Sequence, residues 1–200
     1  MLVAGFAAGS VPFSNLVARR LVGTDLRDVG NGTVSGTALA RVAGFGPLAL
    51  AGVFEVAKGA LGPVLAGRDR PFLAALAGAG AVAGHNWSPW LGGAGGRGIS
   101  PAMGALLVTA PAGAAVLAAG LALGRLAGET AVGSLVADLF LVPVANAAHG
   151  PKGAAAAAAL LVPMLAKRLL GNAPVKNGGP EVYLYRLVLD RDTVTKGAPA

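Results

Sequence analysis

The chain has 200 residues, of which 54% are hydrophobic and 12% are charged, and its formal net charge is +7. Long stretches carry no charge at all, which excludes a water-soluble domain of this size, because its surface would need polar residues. The absence of cysteine excludes disulfides and thiol chemistry. With two isolated histidines, no metal or other cofactor is expected.

The basic residues lie at the ends of apolar runs and do not form a single stripe with aromatic residues between them. A nucleic-acid partner is therefore not expected, since binding to phosphate backbones needs a continuous basic surface. Membrane lipids with anionic head groups are the expected partners of these charges.

Apolar runs in chain order predict an all-α polytopic integral membrane protein with about seven short transmembrane helices. A bilayer core about 30 Å thick requires roughly 20 apolar residues in a straight helix and fewer in a broken one. The fourth and fifth runs are too short to cross straight, so the break at residues 110–113 is either a tight hairpin or a kink. The runs cover residues 1–22, 43–67, 71–91, 99–111, 112–127, 132–148 and 152–168.

The first run has no positive charge before it and ends near Arg19 and Arg20, unlike a secretory signal. It predicts an uncleaved helix with its N-terminus outside. With seven crossings, the loops at 23–42, 92–98 and 125–131 and the C-terminal tail share one side, which carries most of the lysines and arginines. The positive-inside rule places that side in the cytoplasm. Six crossings would lose much of this asymmetry.

The chain is predicted to divide into a transmembrane domain at 1–171 and a cytoplasmic tail at 172–200. Residues 182–189 of the tail are rich in β-branched and aromatic side chains, which is typical of a short strand. A disordered end is the alternative for about the last eight residues.

A Gly-rich loop at residues 92–98 directly precedes the fourth apolar run. Glycines let successive backbone amides turn toward one point, a helix start adds the positive end of its dipole, and Arg97 adds a guanidinium. Gly95, Gly96, Arg97 and Gly98 are therefore candidates for a phosphate-binding cradle. A flexible turn between two closely packed helices is the alternative.

The loop at residues 23–42 is polar, rich in glycine and hydroxyl side chains, and carries Arg27 and Arg41. This composition suits a second anion held opposite the first. A solvated connector between two helices would have the same composition.

Ionisable residues also occur within the apolar runs. Glu55 and Lys58 are three residues apart and share a helical face, where they either neutralise each other or line a polar cleft. His85 is either a hydrogen-bonded helix-end residue or a catalyst. Ser134 has Asp138 one turn later, as a partner or as part of another buried pair.

Taken in order, these segments resemble the bacterial acyl-phosphate:glycerol-3-phosphate acyltransferase family over most of residues 5–171. Each matching stretch is short, and the ordered set carries the resemblance. The stretches are Gly9-Ser10-Val11-Pro12, Gly23-Thr24-Asp25-Leu26-Arg27, Gly30-x-Gly32 through Thr37 to Arg41, Lys58-Gly59, Gly84-His85-Asn86-x-x-Pro89, Gly95-Gly96-Arg97-Gly98 and Gly133-Ser134-Leu135.

The resemblance implies a seven-helix, multi-pass protein of the bacterial inner membrane. It implies transfer of an acyl group from acyl phosphate to the 1-hydroxyl of glycerol 3-phosphate, which gives lysophosphatidate for phospholipid synthesis without a covalent enzyme intermediate. By the same resemblance, acyl phosphate binds at Gly95, Gly96, Arg97 and Gly98; glycerol 3-phosphate binds at Gly30, Gly32, Thr33, Thr37, Arg41 and Lys58; and Ser10, Asn31, His85, Asn86 and Ser134 take part in catalysis.

The chain departs from the family's pattern in several segments, of which the Gly-rich loop and the last helix matter most. Ala94 and Arg97 stand where the Gly-rich loop usually has two lysines, and Val162 and Leu165 stand where the last helix usually has His and Asn. Three alternatives are therefore kept: an acyltransferase with another polyol-phosphate acceptor, a non-catalytic relative that binds lipid or a membrane partner, and a small transporter. A transporter would predict an inverted repeat between the halves, and the sequence has none.

Overall fold

The computed structural model describes residues 1–172 and 179–191, and within these ranges the regular structure is helical, as predicted. Two short 3₁₀ turns, Leu26–Asp28 and Pro89–Leu91, lie in the loops. The helices are α1 (Leu2–Ser10), α2 (Phe13–Val22), α3 (Gly36–Ala43), α4 (Phe45–Ala66), α5 (Pro71–Asn86), α6 (Ile99–Thr109), α7 (Pro111–Leu126), α8 (Thr130–Leu170) and α9 (Glu181–Leu189).

The first apolar run, predicted as one helix, forms two, because the chain leaves the helical conformation at Val11 and Pro12. Val11 has a ψ of 118°, as expected for a residue that precedes proline, and Pro12 has no N–H to continue the helical ladder. The freed Val11 carbonyl accepts a hydrogen bond from Lys58 Nζ over 2.7 Å. The break therefore places a polar group inside the bundle.

The break at Ala110 is a hairpin, so α6 and α7 run in opposite directions. The last residues of α6 line a cavity of about 280 Å³ together with the turns near residues 67–71 and 149–153. α7 starts at this same end, where Ala112 N donates to His149 Nε2 over 3.2 Å. It finishes at the other end, near Glu129, which pairs with Arg191 of the tail.

The last two predicted runs are joined in α8, which bends at Gly150. This glycine has a φ of 67° and a ψ of −162°, a left-handed conformation that side chains disfavour, and Pro151 follows it. The bend lies between the predicted runs 132–148 and 152–168. Each half of α8 is then about as long as α4.

The outer surface of the bundle is apolar. α4 and α8 are long and apolar enough to cross a membrane, and exposed apolar area of this extent suits contact with lipid rather than water. Large exposed apolar side chains include Val3, Phe45, Val53, Phe72, Leu107, Leu126, Leu139 and Val162. The interior contains small side chains, mainly alanines, around Leu106, Leu117, Leu141 and Leu160.

Glycines allow the helix backbones to touch, as helix association in lipid requires. A Cβ on Gly59 of α4 would overlap the backbone of Pro101 in α6, and one on Gly104 of α6 would overlap the Val56 carbonyl of α4. The close contact between α4 and α6 therefore requires glycine at residue 59 of α4 and at residue 104 of α6.

Gly59 and Gly52, both in α4, are expected to respond oppositely to alanine. Gly59→Ala would push α4 away from α6 and destabilise the protein by about 1–3 kcal/mol. A Cβ on Gly52 meets nothing within 4 Å, so Gly52→Ala is expected to gain up to about 1 kcal/mol of helix propensity. Thermal unfolding of both variants in one detergent measures the difference. Equal midpoints would argue against the close contact.

Part of the segment predicted as a loop at 23–42 is helical, which corrects the prediction. Ser35 is the N-cap of α3, and its hydroxyl accepts a hydrogen bond from Ala38 N over 3.2 Å, the usual role of serine at this position. Leu39 is buried in a second apolar cluster with Leu26 and Ala51. Packing against α4 therefore stabilises this short helix.

The predicted strand at residues 182–189 is wrong, since these residues form α9. No strand within the described ranges is available to pair with them, whereas the end of α8 offers carbonyls and an apolar surface. Val182 and Arg186, one helical turn apart, are both buried, so tertiary packing outweighs the β propensity of the segment. The disorder predicted for about the last eight residues falls within residues 192–200, which lie outside the described residues.

Candidate functional site

The two loops predicted to hold anions touch each other at one end of the bundle. Val34 N donates a hydrogen bond to Gly95 O over 3.1 Å. Asn172 bridges the loops, because its Nδ2 donates to Gly32 O and to Gly95 O, each over 2.9 Å. Asn172 therefore belongs to the candidate site, although the predicted domain boundary after residue 171 assigns it to the tail.

The Gly-rich loop packs so tightly that three of its positions require glycine. A Cβ on Gly95 would overlap the backbone carbonyls of residues 85 and 86, and one on Gly96 would overlap the His85 ring. Gly98 has a φ of 80° and is the N-cap of α6. The amides of Gly95 and Gly96 donate to Asn172 Oδ1 and His85 O, respectively. These two amides hold the loop in place, which leaves Arg97 and the first turn of α6 as the loop's candidate anion-binding groups.

Arg97 lies between the end of α8 and the C-terminal tail. Its Nη1 donates to Lys167 O over 2.9 Å, and its Nη2 forms an ion pair with Asp190 Oδ1 over 2.5 Å. The Arg97 side chain is 11% exposed, and the residue immediately precedes Gly98, the N-cap of α6. This position accommodates an oxygen anion, and in the structure the Asp190 carboxylate occupies it.

Lys167 adds a second cation beside the Gly-rich loop. Its side chain is buried, its Nζ donates to Gly93 O over 3.3 Å, and it lies 5.4 Å from the Trp87 ring centroid. Across residues 1–172 and 179–191, no carboxylate forms an ion pair with it. A buried charge without a counter-ion is costly, so an anionic ligand at this place would be stabilised.

The second loop is shaped by two left-handed glycines, Gly30 and Gly32, with φ values of 60° and 69°. Asn31 lies between them; its Oδ1 accepts from Thr33 N over 3.1 Å, and its Nδ2 donates to Asp190 O over 2.8 Å. The Thr33 hydroxyl is buried and has no hydrogen-bond partner in the described part of the chain. Such a hydroxyl is available to a bound ligand.

The two arginines of this segment have different surroundings. Arg27 Nη2 is 2.8 Å from Asp25 Oδ2, and hydrogen bonding to Arg27 lowers the pKa of the Asp25 carboxyl to about 2. Arg27 is therefore neutralised. Arg41 lies exposed on the last turn of α3, without an ion pair to any described residue, and Thr37 is half-buried on the first turn. Arg41 is the arginine of this loop that is open to an anion.

Glu55, Lys58 and His85 form a buried cluster beneath the Gly-rich loop. Glu55 Oε2 is 2.6 Å from Lys58 Nζ and 3.1 Å from His85 Nδ1. Glu55 Oε1 accepts hydrogen bonds from the backbone and the hydroxyl of Ser14, each over 3.1 Å. Of the two interpretations of Glu55 and Lys58, mutual neutralisation matches these contacts. His85 connects the cluster to Gly96 above it.

Two predicted catalytic residues connect helices near the site. Ser10 Oγ donates to Ala7 O and accepts from Trp90 Nε1, while Ser10 O accepts from Ser88 Oγ over 2.6 Å. Asn86 is fully buried, and its Nδ2 donates to Pro163 O over 2.7 Å. These bonds join α1 to the turn after α5, and α5 to α8.

Ser134, also predicted to be catalytic, is paired with Arg168 instead of with Asp138. Arg168 Nη1 donates to Ser134 Oγ over 3.0 Å and lies 4.0 Å from Asp138 Oδ2. All three side chains are buried. This cluster joins the first half of α8 to its second half, at the end of the bundle that carries the loops.

Four residues at this end were not predicted as site residues: Lys167, Arg168, Asn172 and Asp190. The first two have a sequence signal, because adjacent charges at the end of an apolar helix need partners. No pattern distinguishes Asn172 from other loop asparagines. Asp190 is far from Arg97 in sequence, so only the packing of α9 reveals the contact between them.

Known proteins are similar to this chain in sequence. A profile of the glycerol-3-phosphate acyltransferase family matches residues 1–172. The chain is 39% identical over 148 residues to the glycerol-3-phosphate acyltransferase of Myxococcus xanthus, an alignment that covers 67% of this chain and 77% of that protein. It is 34% identical over 168 residues to the Synechococcus sp. (strain CC9902) enzyme of the same name, which covers 82% of this chain and 84% of that protein.

Solved structures of PlsY, an integral membrane glycerol 3-phosphate acyltransferase, have the same fold. Its glycerol 3-phosphate form matches with a TM-score of 0.75 at 22% identity and covers 84% of this chain and 86% of that chain. Its lysophosphatidic acid form matches with a TM-score of 0.72 at 19% identity. The all-α integral membrane fold is thereby confirmed. Because the profile covers nearly all of the helical bundle, the chain belongs to the glycerol-3-phosphate acyltransferase family.

Proposed function

We propose that the chain transfers an acyl group from an acyl phosphate to the 1-hydroxyl of glycerol 3-phosphate, giving lysophosphatidate and inorganic phosphate. The hydroxyl oxygen forms a bond to the acyl carbon, the bond from that carbon to the phosphate oxygen breaks, and the hydroxyl proton leaves with the phosphate. The observation that carries the proposal is the direct contact between the Gly-rich loop and the 23–35 loop, each bearing cationic or hydroxyl groups.

Two anionic substrates need separate cationic places that lie close together. Arg97, Lys167 and the start of α6 suit the phosphate of the acyl donor. Arg41 and the buried Thr33 hydroxyl suit glycerol 3-phosphate. Positioning of the two substrates and stabilisation of charge on the leaving phosphate would account for catalysis, without a covalent intermediate.

Ser10, Lys58, His85, Asn86 and Ser134 are proposed to act mainly by holding this arrangement. Each is buried and bonded to protein groups, and His85 supports Gly96 from below. One of the two departures in the last helix fits this picture. Val162 is 69% exposed on the outer surface of α8, so a histidine at that position would lie away from the loops.

The proposed topology has seven crossings, an external N-terminus and a cytoplasmic tail in the bacterial cell membrane. Three turns near residues 68, 110 and 150 lie together at one end of the bundle. The two anion-binding loops, residue 129 and residues 190–191 of the tail lie at the other. This segregation supports the positive-inside assignment, because the site and most of the basic residues share one end.

Purified protein in lipid nanodiscs, supplied with a long-chain acyl phosphate and radiolabelled glycerol 3-phosphate, is expected to form lysophosphatidate. A known family member assayed in parallel shows that the substrates are intact. If product formed with another polyol phosphate but not with glycerol 3-phosphate, the assigned acceptor would be wrong. Absence of product with every acceptor, beside an active reference enzyme, would favour a non-catalytic relative.

A further inference from the structure

The tail beyond residue 172 lies outside the family match, yet its described part covers the site. Residues 179–191 contain α9, which packs against α8. The chain then turns at Asp190, which has a φ of 54°, toward the two loops. The part of the chain that matches the acyltransferase family, residues 1–172, does not include this segment, so its role needs a separate explanation.

Asp190 contacts one candidate residue in each of the two anion-binding loops. Its carboxylate pairs with Arg97 of the Gly-rich loop, and its backbone carbonyl accepts a hydrogen bond from Asn31 of the other loop. The Asp190 side chain is 22% exposed, and its Oδ1, which pairs with Arg97, is buried. A carboxylate on the arginine that is proposed to bind phosphate occupies a place that a phosphate oxygen would need.

Several contacts hold the tail in this position. Arg186 Nη1 donates to Leu170 O over 2.6 Å, at the carbonyl end of α8. Arg191 Nη2 is 3.0 Å from Glu129 Oε1, and Arg168 Nη2 donates to Val188 O over 3.4 Å. These contacts do not involve the Asp190 carboxylate. A ligand can therefore replace the carboxylate at Arg97 without detaching α9.

We propose that Asp190 sets the affinity of the site for phosphate groups by competing with them for Arg97. The inference rests on the proposed function in that the phosphate belongs to a substrate or to the released product. Arg97 Nη2 cannot pair fully with both anions, so phosphate binds only in the fraction of molecules in which the Asp190 carboxylate has moved away. The remaining tail contacts keep the carboxylate close, so it returns when the phosphate leaves.

The test compares Asp190→Asn with Glu181→Gln in the full chain. Both variants remove one negative charge from the tail, but Glu181 is exposed and bonds only its own turn among the described residues. Inorganic phosphate is titrated by calorimetry into protein in phosphatidylcholine nanodiscs, which contain no anionic lipid. Asp190→Asn is expected to bind phosphate about tenfold more tightly, the effect of losing one competing charged hydrogen bond. Glu181→Gln and Asp190→Glu are expected to bind like the parent protein.

Turnover provides an independent measurement. Asp190→Asn is expected to lower KM for acyl phosphate by a similar factor, with kcat unchanged or raised by faster access. Unchanged phosphate affinity, or the same shift in Glu181→Gln, would overturn the proposal. A lower kcat with unchanged KM would overturn it too, because Asp190 would then assist the reaction. Tighter phosphate binding without any turnover in the parent protein would leave this inference standing and refute the proposed function.

Discussion

Replacing Arg97 by alanine is expected to reduce kcat/KM for acyl transfer by about 10²- to 10³-fold, the usual cost of removing one preorganised donor to a developing oxyanion. Arg97 is the cationic side chain of the Gly-rich loop, it directly precedes α6, and it already holds a carboxylate. Measurement of lysophosphatidate formation over a range of acyl phosphate concentrations gives both constants. We expect kcat to fall, since the guanidinium is proposed to bind the leaving phosphate.

Two further variants distinguish the loss of the Arg97 charge from a general effect on folding. Arg97→Lys keeps a cation but loses the fork that bonds Lys167 O, so it is expected to retain more activity than Arg97→Ala. Arg68→Ala removes an arginine at the opposite end of the bundle and is expected to leave turnover unchanged. Wild-type kinetics in Arg97→Ala would mean that the phosphate of the donor binds elsewhere.

Removing one partner of the Glu55–Lys58 pair is expected to destabilise the protein by about 3–5 kcal/mol, since the remaining charge would be buried without its counter-ion. Both side chains are almost fully buried, and their charged atoms are 2.6 Å apart. Lys58→Met would leave the Glu55 carboxylate with Ser14 and His85, and would leave the Val11 carbonyl without its donor. The melting temperature in detergent is expected to drop by many degrees.

The double variant Glu55→Gln/Lys58→Met is the control for this prediction. It removes both charges, so it is expected to recover most of the stability lost by Lys58→Met. A double variant that is as unstable as the single one would show that the ion pair is not the cause. In that case the hydrogen bond to Val11, at the break between α1 and α2, would be the main contribution of Lys58.

The bundle was largely predictable because hydropathy and charge are local properties of the chain. Pro111 and Gly150 correspond to breaks predicted between apolar runs, whereas the break at Pro12, inside the first run, was not predicted. The charge asymmetry favoured a hairpin at Ala110 over a kink, and α6 and α7 do form one. The apolar runs could not show that residues 36–43 are helical, because their helix is short and depends on packing against α4.

The two loops of the candidate site were identified from the sequence, but the partners of their residues were not. Arg97 and Gly96 were identified from spacing and residue type, yet the sequence indicated that the glycine amides themselves would bind the anion. In the structure those amides bond Asn172 and the residue 85 carbonyl. The tail helix was misassigned, since its Val and Tyr residues favour a strand when considered without a neighbour.

The sequence by itself determined that this chain lies in a membrane as several helices, because hydrophobic periodicity acts over a few residues, and loop composition predicted that two Gly-rich polar loops carry its chemistry. Only the tertiary structure decided which groups meet: Val34 with Gly95, Glu55 with His85, and Asp190 with Arg97. Those contacts depend on how closely glycine and alanine let the helices approach, and the distances between residues remote in sequence are set by that packing.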